Sequence, residues 1–213
     1  MLSLLSSLVL LLSQSLGTWA QKAIKCRPAT PNEARVVVPG FGIITGKVEC
    51  DTIAYLGIPY ARPPVDDLRW TAPQELPDQA GIPRVLNATE YKPGCPQFRS
   101  SKLSDLGRML VGVESGESED CLYLNIYRVR GADYNTRLKN NKQKVVVFVH
   151  GGAFSTGASS ARLYRPQDLL VNGWTEGDPI IMVTFDYRLG LLGWAAGSEL
   201  LKDHTSKQGV GNY

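Results

Sequence analysis

The sequence predicts an α/β protein with a partly parallel sheet, and three observations support this prediction. Residues 145–149 and 180–185 are continuous apolar runs rich in β-branched side chains, typical of parallel strands that are buried on both faces. Between them, residues 166–171 have the composition of a short helix, which Gly173 would stop. A strand, a helix and a parallel strand form a βαβ unit with a right-handed crossover. We therefore expect two central strands covered by helices on either side.

The length and composition fit a folded protein of this class. The chain has 213 residues, of which 43% are hydrophobic and 20% charged, so it is neither compositionally disordered nor too small to bury a core. Lys and Arg number 23 against 20 Asp and Glu, and the formal charge of +3 is spread without a basic block. This balance gives no reason to expect nucleic acid or an anionic membrane as a partner.

The first twenty residues differ from the rest of the chain. They contain no charged side chain, they are apolar from 2 to 12 except for serines, and they end in Thr18-Trp19-Ala20. This pattern is typical of a signal peptide that is cleaved after Ala20. A membrane anchor is the alternative, but the apolar part is shorter than the roughly 20 residues that cross a bilayer. We predict a signal peptide over 1–20, a secreted protein and no membrane span.

Cysteine usage follows from the secretory route. The chain has four cysteines, and in an oxidising compartment two disulfides are expected. Four cysteines allow three pairings, and the spacing favours neighbours, Cys26 with Cys50 and Cys95 with Cys121. No pair has the short gap of a zinc knuckle, and the chain has two histidines in all. No metal site is therefore predicted.

The region before the βαβ unit begins with a strand, a turn and a strand. Residues 36–38 and 43–48 are β-branched runs, and the segment between them contains Gly40 and Gly42. These glycines resemble the start of a dinucleotide-binding fingerprint, but Gly46 comes one residue too late and no helix follows. The turn interpretation is favoured, and no cofactor is implied.

Further elements follow in order along the chain. Residues 53–58 form another short apolar strand, and the chain from 60 to about 116 is rich in loops, starting at two consecutive prolines. The sequon Asn87-Ala88-Thr89 predicts a glycosylated surface loop. Residues 122–127 alternate apolar with polar, which predicts a half-buried strand with these side chains inward: Leu122, Leu124 and Ile126.

The segment His150-Gly151-Gly152-Ala153-Phe154 directly follows the first parallel strand. Sites in open parallel sheets form at the carboxyl ends of the strands. A glycine pair there lets backbone N–H groups converge on one spot, where they can stabilise the oxyanion of an acyl-transfer intermediate. The alternative is a glycine turn that only reverses the chain.

Five groups of residues resemble, in the same order, motifs of the type B carboxylesterase and cholinesterase family. They are Gly57-Ile58-Pro59-Tyr60-Ala61 with Pro63-Pro64 and Leu68-Arg69-Trp70; Glu119-Asp120-Cys121-Leu122-Tyr123-Leu124-Asn125-Ile126-Tyr127; His150-Gly151-Gly152-Ala153-Phe154; Asp186-Tyr187-Arg188-Leu189-Gly190 with Leu192-Gly193-Trp194; and Gly211-Asn212-Tyr213. The resemblance implies an α/β-hydrolase fold, of which this chain is the amino-terminal part: a small antiparallel β region, then the first central parallel strands with their crossover helix.

On the matching positions, the resemblance implies site residues. The oxyanion donors would be the N–H groups of Gly152 and Ala153, with Gly151 shaping the turn. Ala153 stands where a third glycine is common, which costs little if its dihedrals permit, because the donor is backbone. Asp186 replaces the usual Asn, which places an extra charge at a strand end.

Structural bonds are implied as well. The family's first disulfide corresponds to Cys95 and Cys121, and an ion pair joins Arg69 to Glu119. The pair Cys26 and Cys50 is not part of the common family set, so that disulfide rests on spacing alone.

The sequence contains no nucleophile in the required context. Serine hydrolases of this fold carry a G-x-S-x-G elbow, followed later by an acid and a His. The segments 116–120, around Ser118, and 157–161 lack the closing glycine, and His204 precedes any elbow. In the family the elbow lies beyond the Gly-Asn-Tyr motif, where this sequence stops. We therefore expect residues 21–213 to be a truncated carboxylesterase domain with no catalytic triad residue, no appreciable activity and an exposed half-built sheet.

Two functions compete for the complete protein. The first is a secreted carboxylesterase-like serine hydrolase that acts on small-molecule esters without a cofactor. The alternative is a non-catalytic adhesion or binding member, similar to neuroligins or glutactin. The glycine loop favours the enzyme. A cholinesterase is not expected, because the segment between Cys95 and Cys121 has Phe98 but no Trp or Tyr to hold a quaternary ammonium group.

Overall fold

The computed structural model describes residues 26–30, 32–77, 84–98, 113, 115–131, 143–195 and 197–199. They form a seven-stranded mixed sheet in the order β1-β2-β3-β5-β7-β6, with β4 beside β2. The strands are β1 Arg35–Val38, β2 Gly42–Glu49, β3 Thr52–Pro59, β4 Arg84–Ala88, β5 Tyr123–Val129, β6 Lys144–Val149 and β7 Ile180–Phe185. The helices are α1 Gln167–Thr175 and α2 Gly190–Trp194, with 3-10 turns at Asp66–Leu68 and Arg162–Tyr164.

The antiparallel part of the sheet runs from β1 through β2, β3 and β5 to β7. The strand–turn–strand prediction for 36–48 is confirmed, and Gly40 provides the left-handed turn residue with φ of 77°. The strand predicted at 53–58 is confirmed as β3. Strand β4, within the segment predicted to be loops, pairs in parallel with β2. The sequon residue Asn87 therefore lies on an exposed strand position, and the predicted surface loop is wrong.

The βαβ prediction is confirmed in its pairing. Strands β6 and β7 are parallel, with Val149 opposite Phe185, and α1 lies between them in sequence and packs on β3, β5 and β7 with Leu170 fully buried. The predicted stop at Gly173 is wrong, because α1 continues to Thr175. Gly173 instead permits a close approach, since a Cβ there would lie 2.9 Å from the carbonyl oxygen of Asp178.

Strand β6 differs from its prediction as a covered central strand. In the described part of the chain it pairs only with β7 and forms the edge of the sheet. Val145, Val147 and Val149 are each more than half exposed. An apolar run on both faces shows that a strand is suited to burial, whereas burial itself requires neighbours that the described residues do not supply. The expected exposed sheet edge is present here.

In strand β5, the more buried side chains are the ones that the apolar–polar alternation predicts to face outward. Asn125, Tyr127 and Val129 are buried, whereas Leu124 and Ile126 are only partly buried. Both faces of the strand are covered: one packs in a cluster with β2 and β3, the other in a cluster with α1 and β7. The predicted strand is confirmed as β5, but its expected half-burial is wrong, and the alternation of residue types does not report the side that is more enclosed.

Two disulfides tie the loops to this sheet: Cys26 is bonded to Cys50 and Cys95 to Cys121. Beside the first of them, the buried Arg130 guanidinium donates to both carboxylate oxygens of Glu33, at 2.6 and 2.9 Å. It also donates to three backbone carbonyls, those of Arg27, Pro28 and Cys50. This set holds the segment before β1 against the end of β5. No helix in the described ranges is long and apolar enough to cross a bilayer.

Candidate functional site

The site lies where two parallel strands end side by side. His150 follows β6 directly and Asp186 follows β7 directly, and the last residues of the two strands are register partners. The carboxyl ends of parallel strands meet at one edge of a sheet. The glycine loop that begins after His150 and the segment around Asp186 are therefore neighbours.

Three successive residues of the loop have positive φ angles: Gly152 at 126°, Ala153 at 51° and Phe154 at 58°. The carbonyl oxygen of Gly152 accepts hydrogen bonds from the N–H groups of Ser155 and Thr156, both at 3.1 Å. A Cβ on Gly152 would overlap the Thr156 backbone. Glycine is required at 152 by both conformation and space, whereas Ala153 occupies the left-handed region at a modest cost.

Gly151 has a different part in the loop. Nothing lies within 4 Å of the position that a Cβ would take, and its φ lies outside the left-handed region. The conformational requirement for glycine therefore belongs to Gly152. Among the described residues, the N–H groups of Gly152 and Ala153 donate no hydrogen bond.

His150 lies beneath this loop and is buried. Its Nδ1 is 2.9 Å from the carbonyl oxygen of Gly151, and its ring stacks on Tyr187 at 4.4 Å between centroids. The Tyr187 hydroxyl donates to the His150 carbonyl oxygen at 2.8 Å. Burial lowers the pKa of His150 below its usual value, against a smaller opposing effect of the Gly151 carbonyl.

Asp186 is buried next to His150. Its carboxylate accepts the N–H of Ser159 at 2.7 Å and the Ser159 hydroxyl at 2.8 Å. Burial raises its pKa to about 6, although the two Ser159 hydrogen bonds act in the opposite direction. Asn125 supports the arrangement by donating to Ser159 Oγ at 2.9 Å and to Thr184 Oγ1 at 3.1 Å. The extra carboxyl that Asp186 places at the strand end is therefore satisfied by hydrogen bonds.

The bonds implied by the family resemblance lie on the flank of the site. Arg69 donates to Glu119 through Nε at 2.6 Å and Nη2 at 2.9 Å, so the implied ion pair is confirmed with bidentate geometry. The disulfide between Cys95 and Cys121 is buried, and Arg188, also buried, donates to the carbonyl oxygen of Thr71 at 2.8 Å. These contacts anchor the loops around the end of β7.

The structure brings together only part of what the sequence analysis singled out. The residues at 150–153 lie with Asp186 at one sheet edge, whereas Asn87 lies on β4 and Ser118 lies in a loop. The signal peptide, His204 and the Gly-Asn-Tyr motif lie outside the described residues. Sequence reasoning weighed the segment 157–161 only as an elbow and missed the bond from Ser159 to Asp186, because no local pattern links Ser159 to an aspartate 27 residues away. No cluster of three metal-binding side chains exists among the described residues.

Comparison with known proteins extends this description. The family model described as carboxylesterase family matches residues 33–206. The chain is 35% identical over 173 residues to fumonisin B1 esterase of Sphingopyxis macrogoltabida, covering 81% of the chain and 27% of that protein. It is 35% identical over 176 residues to para-nitrobenzyl esterase of Bacillus subtilis, covering 83% of the chain and 32% of that protein.

A solved structure and a further curated relative also match the chain over part of their length. A thermophilic PNB esterase matches with a TM-score of 0.63 and 32% identity over 84% of the chain, which is 32% of that structure. Mouse cholinesterase is 35% identical over 144 residues, 67% of the chain and 21% of that protein. The chain spans between 21% and 33% of the length of eight curated relatives that it matches.

Proposed function

Because the chain belongs to the carboxylesterase family, we propose that the complete protein is a secreted serine hydrolase of small-molecule carboxylic esters. In this proposal the present chain supplies the loop that stabilises the oxyanion, and the nucleophile, acid and base belong to the complete domain. The observation that carries the proposal is the backbone conformation of Gly152 and Ala153: in the part of the chain that the structure describes, no acceptor pairs with their two adjacent N–H groups, which follow the carboxyl end of β6 beside that of β7.

The chemistry that these donors would perform is specific. The serine oxygen bonds to the ester carbonyl carbon while a histidine takes its proton, and the carbonyl oxygen becomes an oxyanion. The N–H groups of Gly152 and Ala153 would hold that oxyanion until the alcohol leaves. Loss of one such donor costs an enzyme about 3 kcal/mol of transition-state stabilisation. The side chain of Ala153 takes no part, because the donor is backbone.

Two features limit the substrate and the location. Residues 96–120 contain no Trp or Tyr, so this loop offers neither aromatic ring as a cation–π partner for a quaternary ammonium group, and we propose uncharged esters as substrates. The predicted signal peptide, the two disulfides and the exposed sequon residue Asn87 support a secreted, glycosylated protein.

The test is hydrolysis of para-nitrophenyl acetate and butyrate by the complete protein, obtained from the transcript extended beyond Tyr213. We expect turnover that is abolished when the elbow serine is replaced by alanine. A Gly151→Ala variant serves as the matched control for Gly152→Ala, since an added Cβ meets nothing within 4 Å at 151 and overlaps the Thr156 backbone at 152. A folded protein that hydrolyses none of a panel of uncharged esters, or whose turnover survives loss of the serine, would refute the proposal.

A further inference from the structure

The side chains of His150 and Asp186 face each other inside the protein, and no hydrogen bond joins them. His150 Nε2 is 3.9 Å from Asp186 Oδ1, and both side chains are almost fully buried. Nε2 has no hydrogen-bond partner among the described residues. A buried polar nitrogen without a partner is costly, so this atom requires an explanation.

The other ring nitrogen determines where the proton lies. Nδ1 of His150 is 2.9 Å from the carbonyl oxygen of Gly151, and a carbonyl oxygen can only accept. Nδ1 therefore carries a proton. In a neutral imidazole, Nε2 then presents a lone pair toward the Asp186 carboxylate, which is repulsive. One further proton, on Nε2 or on the carboxyl, makes the contact attractive.

The hydrogen bond to Gly151 has a consequence for the loop. A trans peptide unit is planar, with its C=O and N–H pointing in opposite directions. When the His150 ring holds the carbonyl of Gly151, it also sets the direction of the Gly152 N–H. That N–H is one of the two donors of the proposed oxyanion site.

We infer that His150 and Asp186 are positioning residues that take up one proton as a pair, and that this proton strengthens the hold of His150 on the Gly151–Gly152 peptide in the orientation that the oxyanion needs. The catalytic consequence rests on the proposed function, whereas the shared proton does not. Asp186 is held for this role by Ser159, which donates twice to its carboxylate. The three side chains are not a catalytic triad, because all are buried and, among the described residues, Ser159 forms no hydrogen bond with His150.

The surrounding ionisable groups do not compete for this proton. Among the described residues, the hydroxyl of Tyr60 donates to the Asp186 backbone carbonyl at 2.7 Å and Tyr187 stacks on His150. Burial raises the pKa of both tyrosines above the usual value, so both stay neutral. Arg188 acts on Tyr60 from outside the pair and keeps its charge near neutral pH.

The decisive experiment is a pH titration of the imidazole signals by NMR on protein with labelled histidine. The His150 signal is assigned by its loss in His150→Gln. In Asp186→Asn, we expect His150 to take up its proton at a pH lower by about one unit or more, because the attracting carboxylate is gone. In Ser159→Ala the pair should take up its proton at higher pH, because the carboxylate has lost a stabilising donor. Asp168→Asn, at an exposed helix position, is the control and should leave the titration unchanged.

A second readout connects the pair to the loop in the complete enzyme. An Asn at 186 carries no charge at any pH, so Nε2 faces no repelling carboxylate at high pH, and the ratio of kcat in Asp186→Asn to kcat in the natural protein should rise with pH between about 5 and 8. KM should change little, because the loop acts in the transition state.

The outcomes separate the two proposals. An unchanged His150 titration in Asp186→Asn would overturn the shared proton, whether or not the protein is an esterase. A shifted titration with a flat kcat ratio would overturn the link to the loop. Absence of ester hydrolysis would overturn the proposed function and leave the NMR result to decide the pair.

Discussion

Replacement of Gly152 by alanine should destabilise the protein far more than the same change one residue earlier. At Gly152 the φ angle is 126°, and an added Cβ would overlap the Thr156 carbonyl and lie 2.6 Å from its carbon and 2.9 Å from Thr156 Oγ1. To remove this overlap, either the backbone at 152 must change conformation or Thr156 must move. Either movement breaks the two hydrogen bonds that Ser155 and Thr156 donate to the Gly152 carbonyl.

The magnitude follows from these two effects. A non-glycine residue in such a backbone conformation costs about 1–3 kcal/mol, and overpacking against backbone costs about 1–3 kcal/mol more. We expect a loss of about 3 kcal/mol or more in the free energy of unfolding. At Gly151 a Cβ meets nothing within 4 Å, so alanine there should change stability by less than about 1 kcal/mol, with a stabilising contribution from the lower entropy of the unfolded chain.

Urea unfolding, followed by tryptophan fluorescence, measures both variants against the natural protein. The chain has four tryptophans, and an unchanged m value would show that the denatured state is the same. Equal stabilities of the two variants, within about 0.5 kcal/mol, would refute the assignment of the conformational requirement to Gly152.

Three further predictions concern residues around the site. Asn125→Ala leaves the buried N–H of Gly57 without its acceptor and should lower the free energy of unfolding by about 2–4 kcal/mol. The control, Asn172→Ala on the exposed side of α1, should lower it by less than about 1 kcal/mol. Urea titration measures both variants, and similar losses would contradict the burial argument. Glu119→Gln breaks the bidentate pair with Arg69 and should lower the melting temperature measured by calorimetry. The difference should shrink in 1 M NaCl, because salt screens partly exposed charges. A difference that does not depend on salt would show that charge is not the cause. Asn87→Gln should increase gel mobility of the protein secreted from eukaryotic cells and remove its response to a peptide N-glycosidase; an unglycosylated natural protein would contradict the sequon prediction.

Predictions that depend on neighbouring residues alone were mostly correct. The strand pairs at 36–48, the strand at 53–58 and the βαβ unit follow from β-branched runs and turn residues, which act within a few positions of the chain. The glycine loop could be located as well, since its place after β6 follows from the strand that precedes it. The end of α1 could not be located, because the decision at Gly173 depends on the Asp178 carbonyl that packs against it.

Predictions about burial were less reliable for a physical reason. An apolar run such as 145–149 indicates that a strand can be buried, but not that it is. In the described part of the chain, β6 lies at the sheet edge and is largely exposed. In β5 the more buried face carries Asn125 and Tyr127, because their polar atoms find partners there. Residue type alone cannot report a partner that arrives from another strand.

The sequence by itself determined the α/β class, the family and the position of the glycine loop, because each is encoded in ordered local motifs. The tertiary structure alone decided how the loop is supported. Asn125 reaches residues 34, 59 and 68 positions away, and Ser159 reaches Asp186 across 27. Such contacts depend on which strands become neighbours in the sheet. The strand order is stabilised by packing throughout the core, so no single residue or local motif determines it.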